Sequence, residues 1–215
     1  VGDGHNMAAW AGAAFQDGPW PLMMHPQAAA MYSGPFLFIN PKGKRFMNEA
    51  TWVQGKCVGT MVNGGDDHCW SIFDAHFEAD NTDSLQYGGG MFWDSFRPYG
   101  SDLSLAPAYF ETQIPKYIEA GMAYQADTLE ELAKKIDVPA DALAATVKRY
   151  NELCEAGEDL DFRKSKRYLD PIDDGPYQAW KMQYLFYCTL GGVRCNDKMQ
   201  VLDENWDPIP GLYAG

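Results

Sequence analysis

The sequence contains no Gly-x-Gly-x-x-Gly turn, so it lacks the cradle with which a strand-turn-helix unit holds a dinucleotide pyrophosphate. Its longest glycine run, Gly88-Gly89-Gly90, leads into Met91-Phe92-Trp93 without the pattern of a strand before it and a helix after it. No apolar stretch reaches the roughly 18 to 20 residues of a membrane span, and no basic-then-apolar leader opens the chain. Positive charge is scarce: 17 Lys and Arg stand against 30 Asp and Glu, a net charge of −13. Such a surface repels phosphate backbones and anionic headgroups, which argues against nucleic-acid and membrane-surface roles. The five cysteines, Cys57, Cys69, Cys154, Cys188 and Cys195, include no CxxC pair and have no regular disulfide spacing, so they read as mostly free thiols. His68, Cys69 and His76 lie close enough in sequence to suggest metal ligands. Without a CxxC pair they read as polar residues around a short strand, and no metal is expected.

What is present suits a folded domain. A chain of 215 residues can bury one sizeable core, or one domain and part of a second. Aromatics make up 14% of it, with seven Trp among them, too many for a disordered acidic segment. Residues 2–14 read as a turn and an alanine-rich helix. Residues 35–49 place two apolar runs around Pro41-Lys42-Gly43, the composition of a hairpin. A helix is expected over 51–61 and a strand over 69–73, while 80–106 has no clear period. Residues 109–119 read as a helix interrupted at Pro115. Thr128 and Glu131 form a capping box before a helix to residue 136, and Pro139 starts another that stops at Gly157. Its positions Leu143, Val147, Tyr150 and Cys154 share one face. The basic cluster Arg163-Lys164-Ser165-Lys166-Arg167 reads as a solvated loop. Strands follow over 179–185, 191–196, 199–203 and 209–213. Helices and hairpins without βαβ alternation predict an α+β fold.

Several motifs occur in a fixed order: Gly2-Asp3-Gly4, His25-Pro26, Asn40-Pro41-Lys42-Gly43-Lys44-Arg45-Phe46-Met47-Asn48-Glu49, Leu190-Gly191-Gly192 and Gly211-Leu212-Tyr213-Ala214-Gly215. Together they resemble the fumarate reductase/succinate dehydrogenase flavoprotein family. The resemblance implies an internal piece of a bacterial flavoenzyme: a flavin-domain flank at 1–19, a cap or clamp domain at 20–171, and a truncated flavin-domain return at 172–215. It also implies FAD in the full-length parent, contacted by Gly2, Asp3, Gly4, Thr189, Gly191 and Gly192. The chain alone, without the phosphate-binding turn, is not expected to retain FAD.

For the substrate, the resemblance points to His25, with Cys188 standing where fumarate reductases have a second histidine. The arginine acid that follows the Asn-Glu pair in those enzymes is absent, because Ala50-Thr51-Trp52-Val53-Gln54 stands there. Their upstream Glu-x-x-Arg relay is replaced by Ala29-Ala30-Met31-Tyr32. Tyr32, Tyr187 and Lys56 are the remaining proton-donor candidates, with Trp52 at the substrate. The expected reaction is reduction of an activated C=C bond, or its reverse, on a small molecule less anionic and more aromatic than fumarate. An external electron donor serves the parent, and no membrane insertion is expected. The compartment is open between a bacterial cytoplasm and export. A stand-alone ligand- or protein-binding module, and a purely structural interaction domain, are the alternatives.

Overall fold

The computed structural model describes residues 2–18, 22–27, 36–51, 53–65, 67–77, 79–80, 115–189 and 191–214. By chain contacts the protein divides into two units, Val1–Met23 with Phe186–Gly215, and Met24–Leu185.

The larger unit is built on a sheet that sends apolar side chains at 37–39, 69–73 and 179–182 to both of its faces. Strands β1 (Leu22–Gln27), β2 (Leu37–Ile39), β3 (His68–Phe73) and β5 (Tyr177–Thr189) lie in the order β1-β5-β3-β2, and β4 (Ala123–Ala126) also pairs with β5. The β2–β3, β3–β5 and β4–β5 pairs are antiparallel, with Phe38 opposite Ser71 and Ser71 opposite Trp180. Period-two alternation sends Phe38, Cys69, Phe73, Trp180 and Met182 into one core. Leu37, Ile39, Trp70, Ile72 and Ala179 enter the other. The second core is closed by helices α3 (Leu129–Lys135) and α4 (Ala140–Ala156), through Leu132, Ala133, Leu143, Val147 and Tyr150. Helix on sheet with antiparallel pairing is the expected mixture of helix and strand.

Local signals explain the helix ends. Thr128 Oγ1 accepts the Glu131 amide at 3.2 Å, the N-cap half of the capping box. Pro139 occupies the N-cap of α4 instead of its first turn, and Gly157 ends that helix in the left-handed conformation with its amide on the Cys154 carbonyl. Along α4 the buried face is Leu143, Val147, Tyr150 and Leu153, and Cys154 is half-buried. Helix α2 (Val53–Gly59) runs into a π-helical turn, Thr60–Gly64, and residues 115–119 are helical.

The expected hairpin at 35–49 is only a tight turn with one bridge, Ile39 to Arg45; β2 pairs with β3 instead. Asn40 Oδ1 accepts the amides of Lys42 and Lys44 at 3.0 and 3.1 Å, and Thr146 on α4 donates to the Gly43 carbonyl at 2.6 Å. Gly43 has φ 74°, and a Cβ there would sit 2.9 Å from Ala142 Cβ and 3.1 Å from the Leu143 amide nitrogen. Gly43→Ala is expected to cost about 2–4 kcal/mol, the sum of left-handed strain and forced separation of the turn from α4. Urea unfolding measures it, and an unchanged midpoint would contradict this seating of the turn.

In the smaller unit α1 (Asp3–Trp10) is followed by residues that pair with the C-terminal segment. Phe15 bridges Val193, Gln16 donates to the Gly192 carbonyl at 2.8 Å and Arg194 to the Ala14 carbonyl at 2.8 Å. Strands β6 (Gln200–Leu202) and β7 (Pro208–Tyr213) form a hairpin whose turn is tied by Asp203 Oδ1 to the amides of Asn205 and Asp207. Residues 191–196, expected as a strand, carry only isolated bridges at Val193 and Cys195. Cys195 is exposed.

Candidate functional site

Two constellations bear on function, one in each unit. In the smaller unit, the two glycine motifs meet. Gly2 caps α1 at φ 97°, and Asp3 and Gly4 begin its first turn. His5, one residue on, stacks on Phe15 at 6.0 Å between ring centroids, and its Nε2 lies 3.6 Å from where a Gly192 Cβ would stand. Segments almost two hundred residues apart in sequence are thus joined around His5, a residue to which the sequence motifs assigned no role. A Cβ at Gly2 or Gly4 would meet nothing within 4 Å. Packing within the described residues therefore does not explain glycine at position 4. Donors at a helix N-terminus beside a carboxylate acceptor fit a polyol or nucleotide, and so part of a flavin dinucleotide.

The other predicted positions are less fully described. His25 lies in β1, and Tyr187, Cys188 and Thr189 lie at the end of β5; their side chains are outside the described residues, as are Tyr32 and Trp52 altogether. Lys56, the third acid candidate, is in α2 and only 1% exposed. At that exposure it is packed inside this unit.

Lys56 belongs instead to a buried ionic cluster in the larger unit. Arg45 reaches Glu49 through Nε and Nη2, both at 2.8 Å, and Asp159 through Nη1 and Nη2 at 3.1 and 2.7 Å. The guanidinium also lies over the rings of Tyr150 and Phe162, 5.2 and 4.9 Å from their centroids. Burial opposes the charge on Arg45, yet Glu49 and Asp159 hold it more firmly protonated than usual. Burial would raise the Asp159 carboxyl, but hydrogen bonds from Arg45 and from the Lys164 and Phe162 amides prevail and hold it at about 2. Glu49 Oε1 also accepts the Phe38 amide, which ties the cluster to β2.

The basic run 163–167 is not uniformly a solvated loop. Arg163, Lys166 and Arg167 face outward, but Lys164 is 3% exposed. Its Nζ donates to Tyr150 Oη at 2.6 Å and lies 3.6 Å from Glu49 Oε2. Asp159 causes the inversion, because its carboxylate accepts the amides of Asp161, Phe162 and Lys164 and folds the loop back over α4. The Arg-Phe-x-Asn-Glu run is thus a clamp: Asn48 Nδ2 donates to the Phe162 carbonyl at 3.2 Å and Phe46 enters the core. Asp159 and Lys164 carry no local motif and were legible only as loop residues.

The histidines considered for metal are engaged elsewhere. His68 Nδ1 is 2.6 Å from Asp67, and His76 Nε2 is 3.5 Å from Asp174. Among the described residues no three His, Cys, Asp or Glu gather as a metal site, and no described helix is long and apolar enough to cross a membrane.

The family described as the FAD binding domain matches residues 1–214. A vinyl phenol reductase of Lactiplantibacillus plantarum is 27% identical over 98% of this chain and 42% of its own length. An NADH:acrylate oxidoreductase of Vibrio harveyi is 30% identical over 100% of this chain and 19% of its own. The open conformation of a flavocytochrome c3 fumarate reductase superposes with a TM-score of 0.71 at 26% identity, over 99% of this chain and 33% of that one. The chain thus spans less than half the length of each of these relatives. With the match running from the Gly-Asp-Gly turn to Ala214, the chain belongs to the FAD-binding family of fumarate-reductase-like flavoproteins.

Proposed function

We propose that this chain comprises the cap domain of a flavoenzyme, at 20–171, with flavin-domain segments at 1–19 and 172–215, and that the full-length protein reduces an activated C=C bond. The observation that carries this reading is the placement of Gly2-Asp3-Gly4 and Gly191-Gly192 in one unit, where His5 stands against Gly192 and no described atom lies within 4 Å of a Cβ at Gly2 or Gly4. When bound, FAD supplies the hydride, and the protein must bind the acceptor, shield it from water and deliver one proton. Gly2, Asp3, Gly4, Thr189, Gly191 and Gly192 hold part of the cofactor. His25, Cys188 and Trp52 bind the substrate, and Tyr32 or Tyr187 supplies the proton. An external electron donor re-reduces the flavin.

The proposed substrate is a conjugated alkene with at most one carboxylate. Replacing a histidine by Cys188 removes a cationic anchor for a second carboxylate, and Val53 lies in the stretch where fumarate reductases carry their arginine acid. The names of two relatives, a vinyl phenol reductase and an acrylate oxidoreductase, support the same class. Reduced-viologen oxidation by the full-length protein, with 4-vinylphenol, acrylate and fumarate as acceptors, tests it. At least one of the first two should exceed fumarate in kcat/KM by about tenfold or more, the effect of one lost charged anchor. Faster turnover of fumarate would overturn the substrate class.

A further inference from the structure

An open groove of about 740 Å³ lies in the larger unit, within the size range of binding clefts. One wall is α4 over residues 144–155, a length of about 16 Å, or three helical turns. The rest of the lining comes from Leu169, Pro171, Ile172 and Asp173, with Leu129 of α3 and Tyr177 of β5. This second wall is fixed in place. The Asn151 side chain donates to the Ile172 carbonyl and accepts its amide, both at 2.9 Å, and buried Asp74 accepts the amides of Asp173 and Asp174 at 3.0 and 3.1 Å.

The lining positions of α4 recur at three- and four-residue steps, 144, 147, 148, 151, 152 and 155, and so form one stripe of the helix. Such a stripe is the kind of ridge against which another helix packs. Val147, Leu169 and Ile172 supply an apolar floor, and Ala144 and Pro171 are exposed at its edge. Among the described residues that line the groove, Glu152, Glu155 and Asp173 are carboxylates and Lys148 is the one cation; all four are exposed. Glu152 has a loose contact with Arg149 at 3.6 Å. Neither Glu155 nor Asp173 has a side-chain hydrogen bond or ion pair among the described residues. An apolar floor with an acidic rim attracts a cation carried on an apolar body and repels phosphates, carboxylates and anionic headgroups. A second copy of this chain, with its net charge of −13, brings the wrong sign.

The geometry points to a docking groove for a basic amphipathic helix of a partner protein, laid beside α4 with its apolar side chains over Val147, Leu169 and Ile172 and its Lys or Arg residues against Glu152, Glu155 and Asp173. A groove three turns long suits this mode, in which apolar anchors one turn apart fill the groove and the flanking charges select the partner. The floor residues are themselves mostly buried, at 3% exposure for Val147, 8% for Leu169 and 5% for Ile172, so little apolar area is gained on docking. Charge then sets most of the affinity, which lies in the micromolar range and weakens as salt rises. This inference does not depend on the proposed reaction.

The test uses the full-length protein and three dye-labelled helical peptides: an amphipathic one of leucine and lysine, the same with glutamate for lysine, and the same with alanine for leucine. Fluorescence anisotropy gives Kd, and hydrogen exchange maps the site. The leucine–lysine peptide should saturate at one per chain and slow exchange at 144–155 and 169–173. Glu155→Lys with Asp173→Lys should weaken it about tenfold or more, since two attractions become repulsions. Asp197→Lys with Glu204→Lys, an equal change of charge on exposed residues of the smaller unit, should leave Kd within about threefold. Far-UV circular dichroism checks that both variants are folded. Equal weakening by the two pairs, or equal binding of either control peptide, would reduce the effect to general attraction and overturn the proposal. It is overturned as well if the leucine–lysine peptide does not bind because 144–155 is already protected, by the protein's own chain or by a second copy, which sedimentation tells apart.

Discussion

Glu49→Gln should lower the stability of the larger unit by about 3–5 kcal/mol, because it removes the buried carboxylate that Arg45 bonds at 2.8 Å and that lies 3.6 Å from Lys164 Nζ. The geometry sets the size. Arg45 and Glu49 share two bonds of 2.8 Å with side chains 6% and 0% exposed, so water cannot replace the lost charge. A surface pair supplies the contrast. Arg149 and Asp161 are as close, at 2.7 Å, but 48% and 33% exposed, and Asp161→Asn should cost less than about 1 kcal/mol. Urea unfolding of the two variants measures the difference. Equal small losses would show that the Arg45 cluster is not the clamp between the motif at 45–49 and the loop at 159–164.

His25→Ala should reduce kcat/KM of the full-length enzyme for its alkene substrate by about a hundredfold, while Cys195→Ala leaves it within about twofold. The reasoning is chemical: a histidine can donate a hydrogen bond to the acceptor's carbonyl, carboxylate or hydroxyl and carry charge near neutral pH, and alanine can do neither. Cys195 is exposed in the smaller unit, with its Sγ only 3.7 Å from the Ala214 carbonyl, a weak contact. An unchanged flavin absorbance spectrum in His25→Ala would confine the effect to the substrate. Similar small effects of both substitutions would remove His25 from the site.

The elements with strong local chemistry were legible in the sequence. Thr128 with Glu131, Pro139 with Gly157, and the apolar face of α4 located two helices within one or two residues. The short apolar run at 69–73 located β3. Strand β5 was only half visible: its 13 residues, Tyr177–Thr189, run on through polar and aromatic positions, since pairing with β3 and β4 fixes the strand more than its pattern does. The hairpin reading of 35–49 failed for a similar reason. Asn40 and Gly43 give the right turn, but the better partner for Leu37–Ile39 is β3, which supplies Trp70 and Ile72.

The sites followed the same division. Gly2, Asp3, Gly4, Gly191 and Gly192 were visible as short motifs, and only the fold revealed that His5 joins them. The ionic cluster was misread because its members are scattered. Arg45 and Asp159 are 114 positions apart, and nothing in Arg163-Lys164-Ser165-Lys166-Arg167 distinguishes the one side chain that turns inward. Charge runs describe composition, whereas burial is decided by what Asp159 does to the backbone that follows it.

The most direct test of the flavoenzyme reading is anaerobic stopped-flow mixing of the full-length protein, its FAD photoreduced, with 4-vinylphenol or acrylate. Reoxidation of the flavin at a rate that rises with acceptor concentration and saturates, together with formation of the saturated product, is the predicted result. Purified full-length protein that fails to bind FAD, or reduced flavin that reacts with oxygen but with no conjugated alkene, would contradict it.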